Sequence, residues 1–407
     1  MAEISKRTDW FLFTLAAILS LGGAMMVYSA SAIIANKESG GVSEMAYFNK
    51  QIVFVLIGII AMLIVSRIDY RIFSKPAILF TLLAITVCCL IAVLFFQEIN
   101  GARRWIRFSG FSLQPSEIAK PVLTMFLAWF LRRNASRIGE IKSTALPALI
   151  VLGVITGLVL VEPDLGTSIV LCAIFGVVYF AAGARLLHIG LIGTGMLIAA
   201  AAAVLLAPWR FERLMAFLDP FAYRDDSGYQ VVQSLFAIGS GGIFGRGFGS
   251  GQQKLFYLPY PYSDFIFSVI GEEFGLIGTL TVLILFVLLL WRGARAALRA
   301  EDRFGMLLGA GIITGITIQA LFNISVVTSL LPAKGIPLPF ISYGGTSLVI
   351  NLICVGILLS ISRSGNAQSH YGQNDYYENE KSRKSMQGSF TRTASKTQKK
   401  SRVRRAA

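Results

Sequence analysis

The chain has 407 residues, of which 55% are hydrophobic and only 14% are charged, and its mean hydropathy is +0.67. This composition excludes an ordinary soluble domain and indicates a polytopic helical membrane protein. The 4 cysteines all fall inside apolar runs, which excludes a disulfide framework or a zinc site, and with only 2 histidines His-based catalysis is disfavoured.

Apolar runs close to the thickness of a bilayer recur along the chain and predict about ten transmembrane helices. The first run ends in "MVYSASA", which resembles a signal-peptidase site, but the run is long for a signal sequence and we favour a retained helix. The fold class is therefore all-α. The predicted spans are 11–34, 51–68, 77–96, 118–132, 146–162, 167–183, 188–208, 265–290, 305–328 and 346–362.

The basic residues of the short connections predict the orientation of the spans, because cytoplasmic loops carry an excess of Lys and Arg. Such residues precede the first span and follow the second, fourth, sixth, eighth and tenth. All these connections share one side if both termini are cytoplasmic. We therefore predict an N-in, C-in topology, a cytoplasmic N-terminus of residues 1–10, a transmembrane domain of residues 11–362, and a long extracytoplasmic loop, 209–264, between the seventh and eighth helices.

The C-terminal tail, 363–407, carries 11 Lys or Arg against 3 acidic residues, a net charge of +8. It has almost no aliphatic residues, and we expect it to be disordered and cytoplasmic, resting on anionic headgroups. Nucleic-acid binding is the alternative for so basic a tail. Beside a membrane it is the weaker interpretation, and we predict no nucleic-acid partner.

Several arginines break the charge bias by falling on the outer side. "NGARRWIRF" contains Arg103, Arg104 and Arg107 around Trp105. The planar guanidinium suits phosphate oxygens, and Trp prefers the level of lipid headgroups, so the cluster indicates a site for a lipid whose head carries phosphate. The alternative is simple pairing with nearby acidic residues.

Carboxylates near the spans have structural and functional explanations that the sequence leaves open. Glu117 and Lys120 lie on one helical face and either pair for stability or serve the site. Asp164, in "VEPDLGTS", caps the following helix or contributes to an outer cavity. Asp264, in "PYSDFIF", caps its helix or acts as a base at headgroup level.

Four blocks of sequence resemble the SEDS family of membrane proteins, in order through nearly all of 10–362. The blocks are "NGARRWI…LQPSEIAK", "EPDLGTS", "QSLFAIGSGGIFGRGFGSGQQKLFYLPYPYSDFIFSVIGEEFG" and "LLPAKGIPLPFISYGGTS". Within the family the chain is most similar to the cell-division branch. One departure is Tyr262-Ser263 before the aspartate, where many members have His-Thr, which removes a possible titrating neighbour.

The resemblance implies a peptidoglycan glycosyltransferase that polymerises lipid II, works with a class B penicillin-binding protein and other division-complex proteins, and concentrates at the septum in the cytoplasmic membrane. The catalytic residue it implies is Asp264. A divalent cation, Mg²⁺ or Mn²⁺, remains an open cofactor, with no metal ligands predicted. Implied substrate-binding residues are Arg103, Arg104, Trp105, Glu117, Lys120, Asp164, Arg246 and Lys254, and Glu272, Glu273 and Ser342 are expected to shape the cavity.

Three alternatives stay open at this stage. A lipid II flippase would also need a polar cavity among its helices, but it requires charged residues along a whole transmembrane path, and here they crowd the outer side. An elongation polymerase of the same family differs only in its cellular role. A non-catalytic scaffold would tolerate replacement of Asp264.

Overall fold

The computed structural model of the protein describes residues 8–38, 40–41, 43–98, 101–108, 111–255 and 257–364. Apart from one short hairpin, these residues form a bundle of helices. The helices are α1 (Trp10–Glu38), α2 (Ala46–Arg67), α3 (Pro76–Ala92), α4 (Pro115–Arg133), α5 (Leu146–Val161), α6 (Leu165–Ala181), α7 (Leu186–Leu205), α8 (Pro208–Leu218), α9 (Tyr229–Gly241), α10 (Ile266–Leu298), α11 (Arg303–Val327) and α12 (Gly345–Ser364).

The predicted class, an all-α polytopic membrane protein, is confirmed. Within the described residues, seven helices are long and apolar enough to cross a membrane. The other three predicted spans coincide with α4, which carries two buried charges, and with the shorter apolar helices α6 and α7. The count of ten spans stays a prediction, and so does their orientation. The predicted tail lies outside the described residues, apart from its first two.

The segment predicted as a long loop, 209–264, is not a loop throughout, because it contains α8 and α9. Pro208 opens α8, where its fixed backbone angle suits the first helical turn. Helix α9 buries Val231, Val232 and Ala237. It ends at Gly241 and is followed by Gly242, whose φ of 56° costs glycine little because it has no Cβ. Two helices therefore interrupt a stretch that reads as turn-rich. Helix α9 packs an apolar face on the bundle, whereas α8 buries only Ala216.

Helix α10 is broken at Gly275, where φ is 63° and ψ is −156°. The glycine-rich segment after α9 lies against this break. The amide of Leu276 donates to the Gly242 carbonyl at 2.9 Å, and the amide of Gly247 donates to the Glu273 carbonyl at 3.0 Å. The segment thereby satisfies backbone groups that the broken helix leaves without intrahelical partners.

One end of the bundle gathers several of the basic connections. Arg292 donates to Asp9 at 2.7 Å, which joins the end of α10 to the start of α1. Arg71, after α2, pairs with Asp302 at 3.0 Å, and Arg303 donates to the Ala182 carbonyl after α6. These connections are the ones that charge bias placed together on the cytoplasmic side.

The first helix is an integral part of the bundle. A Cβ added at Gly23 would lie 2.5 Å from the Cα of Ile341, so α1 approaches the segment before α12 with its backbone. Ser29 reaches α10 through its hydroxyl, which donates to Glu273 at 2.6 Å. Retention of the first span as a helix stays a prediction.

A two-stranded antiparallel hairpin lies between α3 and α4. Strand β1 (Ile106–Phe108) pairs with β2 (Phe111–Leu113), with Arg107 opposite Ser112. The hydroxyl of Thr346 donates to the Ser112 carbonyl at 2.6 Å, which fastens the hairpin to the start of α12. The hairpin places the arginine-rich segment beside the opening described next.

Candidate active site

A cavity of about 710 Å³ opens at the end of the bundle where α10 begins, opposite the Asp9–Arg292 pair. Its size suits a sugar-bearing lipid headgroup better than a single ion. The wall combines carboxylates, cations and aromatic rings. The charged and aromatic residues that line it are Tyr47, Lys50, Phe54, Arg104, Trp105, Arg107, Asp164, Trp209, Arg213, Tyr260, Tyr262, Asp264, Phe265, Lys334 and Tyr343.

Asp264 lies in the cavity just before α10, and its carboxylate does not cap that helix. The N-cap is Phe265, which makes no side-chain cap, while Oδ1 of Asp264 accepts the Ser263 hydroxyl at 2.9 Å. Burial raises the pKa of Asp264 above its ordinary value, opposed by the Ser263 hydrogen bond and by the positive charges of Arg104 and Arg213. A carboxylate with a raised pKa is a stronger base than an ordinary aspartate.

Neighbouring segments hold Asp264 in position. Its backbone carbonyl accepts a hydrogen bond from the side-chain amide of Asn323 at 2.8 Å. Its carboxylate lies against the backbone of Gly335, where an added Cβ would be 2.9 Å from Oδ2. Ser342, predicted to shape the cavity, donates to the Ser263 carbonyl at 2.7 Å and accepts the Leu338 amide at 2.8 Å. It therefore ties the 338–342 segment to the residue before the candidate base.

Asp164 has both of the roles that the sequence left open: it caps the following helix and it contributes to the cavity. Its Oδ1 accepts the Thr167 amide at 3.0 Å and its Oδ2 accepts the Thr167 hydroxyl at 2.8 Å, so it caps α6. The same residue lines the cavity. Because both oxygens are engaged, Asp164 supplies negative charge to the site rather than a free base.

The two adjacent outer arginines have different surroundings. Arg104 lines the cavity and donates to the carbonyls of Glu162 (3.2 Å) and Pro163. Arg103 is exposed, donates to the Leu94 carbonyl at 3.0 Å and lies 3.9 Å from Glu98. Arg103 does not line the cavity, because its side chain turns towards Leu94 and Glu98 instead.

Two cations that line the cavity, Arg213 and Lys334, were not predicted as site residues from the sequence. Arg213 and Lys334 both lie over the ring of Trp209, at 5.6 Å and 5.4 Å from its centroid. Burial and the nearby arginines lower the pKa of Lys334 to about 8, and burial lowers the pKa of Arg213. A lone lysine in "LLPAKGIPLPF" was the available signal. Arg104, Arg213 and Lys334 are thus three cations that line the same cavity as Asp264.

Lys334 is held in place by the backbone that follows it. Asn323 donates to the Ile336 carbonyl at 2.7 Å, and Gln319 donates to the Pro337 carbonyl at 3.0 Å. Both amides belong to α11, which is mostly buried. The cavity wall around Lys334 therefore rests on the centre of the bundle.

Glu117 and Lys120 pair inside the bundle and do not line the cavity. Lys120 Nζ lies 2.8 Å from Glu117 Oε2, both side chains are buried, and Lys120 also donates to Gln319. Their link to the site is indirect, because Gln319 in turn supports the segment that carries Lys334. The prediction that they bind substrate directly is not supported by this position.

Arg246, Lys254, Glu272 and Glu273 form a separate cluster, which we call the loop anchor, where the glycine-rich segment meets α10. Lys254 Nζ lies 2.6 Å from Glu273 Oε1 and donates to Ser29 at 2.8 Å. Glu272 accepts the Gln252 amide at 2.7 Å and lies 3.6 Å from Arg246. None of the four lines the cavity, so the substrate-binding assignment of Arg246 and Lys254 is replaced by a structural one.

We expect Lys254→Met to lower the free energy of unfolding by about 3–5 kcal/mol, because it leaves the Glu273 carboxylate buried without a countercharge. Thermal unfolding of the purified protein measures the loss. Arg246→Met is the matched control, since Arg246 is partly exposed and the backbone amides still hold Glu272. Equal losses in the two variants would contradict the assignment of Lys254 as the buried anchor.

Glu162 is a buried carboxyl group next to the site. It is 0% exposed, and neither of its carboxyl oxygens has a hydrogen-bond partner in the structure. Burial raises its pKa to about 9, with Asp164 adding to the shift and Arg104 opposing it. The group is therefore a neutral acid at pH 7, behind the turn whose carbonyls hold Arg104.

Glu162→Gln should raise stability at pH 7 by up to about 3 kcal/mol. Between pH 4.5 and 9 the unfolded carboxyl is ionised while the folded one keeps its proton, so wild-type stability falls as pH rises. The amide has no such dependence. Unfolding temperatures of both proteins from pH 4.5 to 8.5 should therefore diverge, and a difference independent of pH would contradict the neutral acid.

The site shows one free carboxylate toward the cavity, which is a poor set of ligands for a protein-held cation. Among the described residues, no group of three or more His, Cys, Asp or Glu side chains could hold a metal ion. Asp164 has both oxygens engaged by Thr167. A Mg²⁺ or Mn²⁺ ion in this cavity would therefore have Asp264 as its protein ligand and would take its other ligands from substrate phosphates and water.

Comparison with known proteins decides the family. Residues 9–367 match the family of FtsW, RodA and SpoVE, described as a cell cycle protein. The chain belongs to the FtsW/RodA/SpoVE family. A probable peptidoglycan glycosyltransferase FtsW of Trichlorobacter lovleyi is 42% identical, over 87% of this chain and 93% of that protein. Stage V sporulation protein E of Bacillus subtilis is 40% identical, over 88% and 98%.

Solved structures of the FtsW/RodA/SpoVE family share the fold. A chain of a peptidoglycan synthase complex that coordinates polymerization and crosslinking matches with a TM-score of 0.72 and 29% identity, over 88% of this chain and 98% of that chain. RodA of Thermus thermophilus matches with a TM-score of 0.64 and 27% identity, over 89% and 98%. The likeness extends through the whole helical bundle.

Proposed function

We propose that this protein is a peptidoglycan glycosyltransferase that polymerises lipid II at the outer face of the cytoplasmic membrane, in septal wall synthesis. The names of the relatives support the reaction class. The observation that carries the proposal is the cavity that Asp264, with a raised pKa, lines together with Arg104, Arg213 and Lys334. One base together with several cations is what transfer from a pyrophosphate donor requires.

The reaction assigns the base to Asp264. Its carboxylate removes the proton from the 4-hydroxyl of the acceptor's N-acetylglucosamine, and the hydroxyl oxygen attacks the anomeric carbon of the donor. The bond from that carbon to the pyrophosphate oxygen breaks, and its electron pair leaves with undecaprenyl pyrophosphate. The raised pKa brings Asp264 closer to the operating pH, where proton transfer is most effective.

The three cations stabilise the negative charge that develops on the departing pyrophosphate. Arg104 offers a planar fork suited to two phosphate oxygens, and its position is fixed by the Glu162 and Pro163 carbonyls. Arg213 and Lys334 are held over Trp209. Positions fixed before the reaction spare the protein a reorganisation cost in the transition state.

The partner in this proposal is a class B penicillin-binding protein, which crosslinks the strands, together with other proteins of the division complex. The similarity to a peptidoglycan synthase complex supports a crosslinking partner in general. The 42% identity to an FtsW protein favours the septum over the lateral wall as the place of action. A role in elongation is the alternative within the same family.

The test is to incubate labelled lipid II with the purified protein and its transpeptidase partner in detergent, where no leaflets separate the substrate. Glycan strands resolved by gel electrophoresis are the expected result. If no strands form while the same preparation carries lipid II across vesicle membranes, the protein is a flippase instead.

A further inference from the structure

Three tyrosines from distant parts of the chain meet on the cavity wall, and we call them the tyrosine wall: Tyr47, Tyr262 and Tyr343. The ring centroids of Tyr47 and Tyr262 are 4.7 Å apart, those of Tyr47 and Tyr343 are 5.1 Å apart, and those of Tyr262 and Tyr343 are 5.7 Å apart. All three line the cavity that contains Asp264.

The surrounding bonds hold the rings in place. The Tyr343 amide donates to the Tyr262 carbonyl at 2.9 Å, which joins the segment before α12 to the segment before α10. The Tyr47 hydroxyl donates to Glu38 at 2.7 Å. The rings are therefore fixed before any ligand binds, so that little side-chain entropy is lost on binding.

Core packing alone does not account for the tyrosine wall. The rings are only partly buried, and they face a cavity otherwise rich in charged and polar groups. Gly344 lies on the same wall, and a Cβ there would contact only Ser347, at 3.8 Å, so the space beside the rings is open. Aromatic faces next to open polar space are typical of a ligand surface.

We propose that the tyrosine wall is a stacking surface for the N-acetylglucosamine ring of the acceptor. A pyranose carries an apolar C–H face that packs on an aromatic ring and a rim of hydroxyl groups that needs polar partners. Tyr262 is two residues before Asp264, so a sugar on the wall lies beside the base. The inference rests on the proposed function and adds the acceptor subsite to it.

The test measures sugar binding without turnover. The soluble disaccharide of N-acetylglucosamine and N-acetylmuramic acid is titrated into the purified full chain and followed by saturation-transfer NMR. Tyr262→Phe, which keeps the ring, should bind within about threefold of wild type, and Tyr262→Leu, which keeps apolar bulk only, should bind at least about tenfold more weakly. Equal affinity of the Leu variant and wild type would overturn the proposal.

Two further measurements test the alternative explanations. Undecaprenyl phosphate, which has no sugar, should bind the Leu variant as well as wild type, and a parallel loss would make the wall a lipid-chain site and overturn the proposal. If Tyr262→Leu does not fold, Tyr343→Phe and Tyr343→Leu decide in the same way. The disaccharide has no pyrophosphate and cannot be polymerised, so its binding is measured independently of strand formation. A wild type that binds the disaccharide but forms no strands from lipid II therefore refutes only the proposed function.

Discussion

Asp264→Asn should lower kcat for strand formation by about 10²–10⁴ while the affinity for lipid II stays close to that of wild type. The amide keeps the size of the side chain and can still accept the Ser263 hydroxyl, but it cannot take a proton. The loss therefore falls on the chemical step. Rates of strand formation and direct lipid II binding, measured on the same preparations, check both halves of the prediction.

The matched control for this variant is Asp225→Asn, because Asp225 is an almost fully exposed carboxylate 3.6 Å from Arg224. It removes one negative charge from the chain without touching the cavity and should leave kcat unchanged. Strands from Asp264→Asn at the wild-type rate would remove Asp264 from the chemistry and favour a non-catalytic scaffold.

Lys334 should impose an alkaline limit on the reaction. Its pKa is lowered to about 8, so the ammonium group loses its proton as pH rises through that value and the cavity loses one of its cations. Because kcat/KM reports the free protein, it should fall above pH 8 in the wild type. Lys334→Met should cost about 10²-fold at pH 7, the size of a lost charge-stabilising contact.

Lys334→Arg separates the charge from the rest of the side chain. A guanidinium stays protonated throughout the accessible range, so the fall of kcat/KM above pH 8 should disappear in this variant. The profile is measured as the initial rate of lipid II consumption from pH 6 to 9.5. An alkaline limb that is identical in wild type and Lys334→Arg would contradict the assignment of Lys334.

The positions of the helices could largely be predicted, because an apolar run of bilayer length is a local signal. For adjacent residues in irregular backbone, the sequence could not predict which side chain lines the cavity. Arg103 and Arg104 are adjacent in sequence, yet only Arg104 lines the cavity, since the direction of each side chain depends on backbone angles that the sequence does not specify. Asp164 and Asp264 were predicted because each stands next to a helix start.

The place of Arg246 and Lys254 in the loop anchor was missed for a different reason. Arg246 and Lys254 follow a run of glycines, which indicates a turn but not the surface on which the turn packs. The break of α10 at Gly275 creates backbone groups that the glycine-rich segment satisfies, and this contact carries Lys254 to Glu273 rather than to the cavity. Such a contact depends on two segments that are distant in sequence, and neither segment alone predicts it.

The arrangement separates the charges that hold the bundle from the charges that serve the cavity. Glu117 with Lys120 and Glu273 with Lys254 are paired in the interior, where an isolated charge would be very costly. Asp264 and Lys334 instead face the cavity, and their pKa values are shifted in the directions that suit a base and a titrating cation. Because a carboxylate and an ammonium group with shifted pKa values line the same cavity, we place the chemistry there.

In the proposed reaction the cavity joins sugars and releases undecaprenyl pyrophosphate. The most direct test follows both products in one detergent reaction of the wild-type protein with its transpeptidase partner, counting new glycosidic bonds and free undecaprenyl pyrophosphate. We expect one pyrophosphate released for each bond formed, and both products about 10²–10⁴-fold more slowly from Asp264→Asn. Lipid II that stays intact in this reaction but crosses vesicle membranes with the same protein would contradict the proposed reaction.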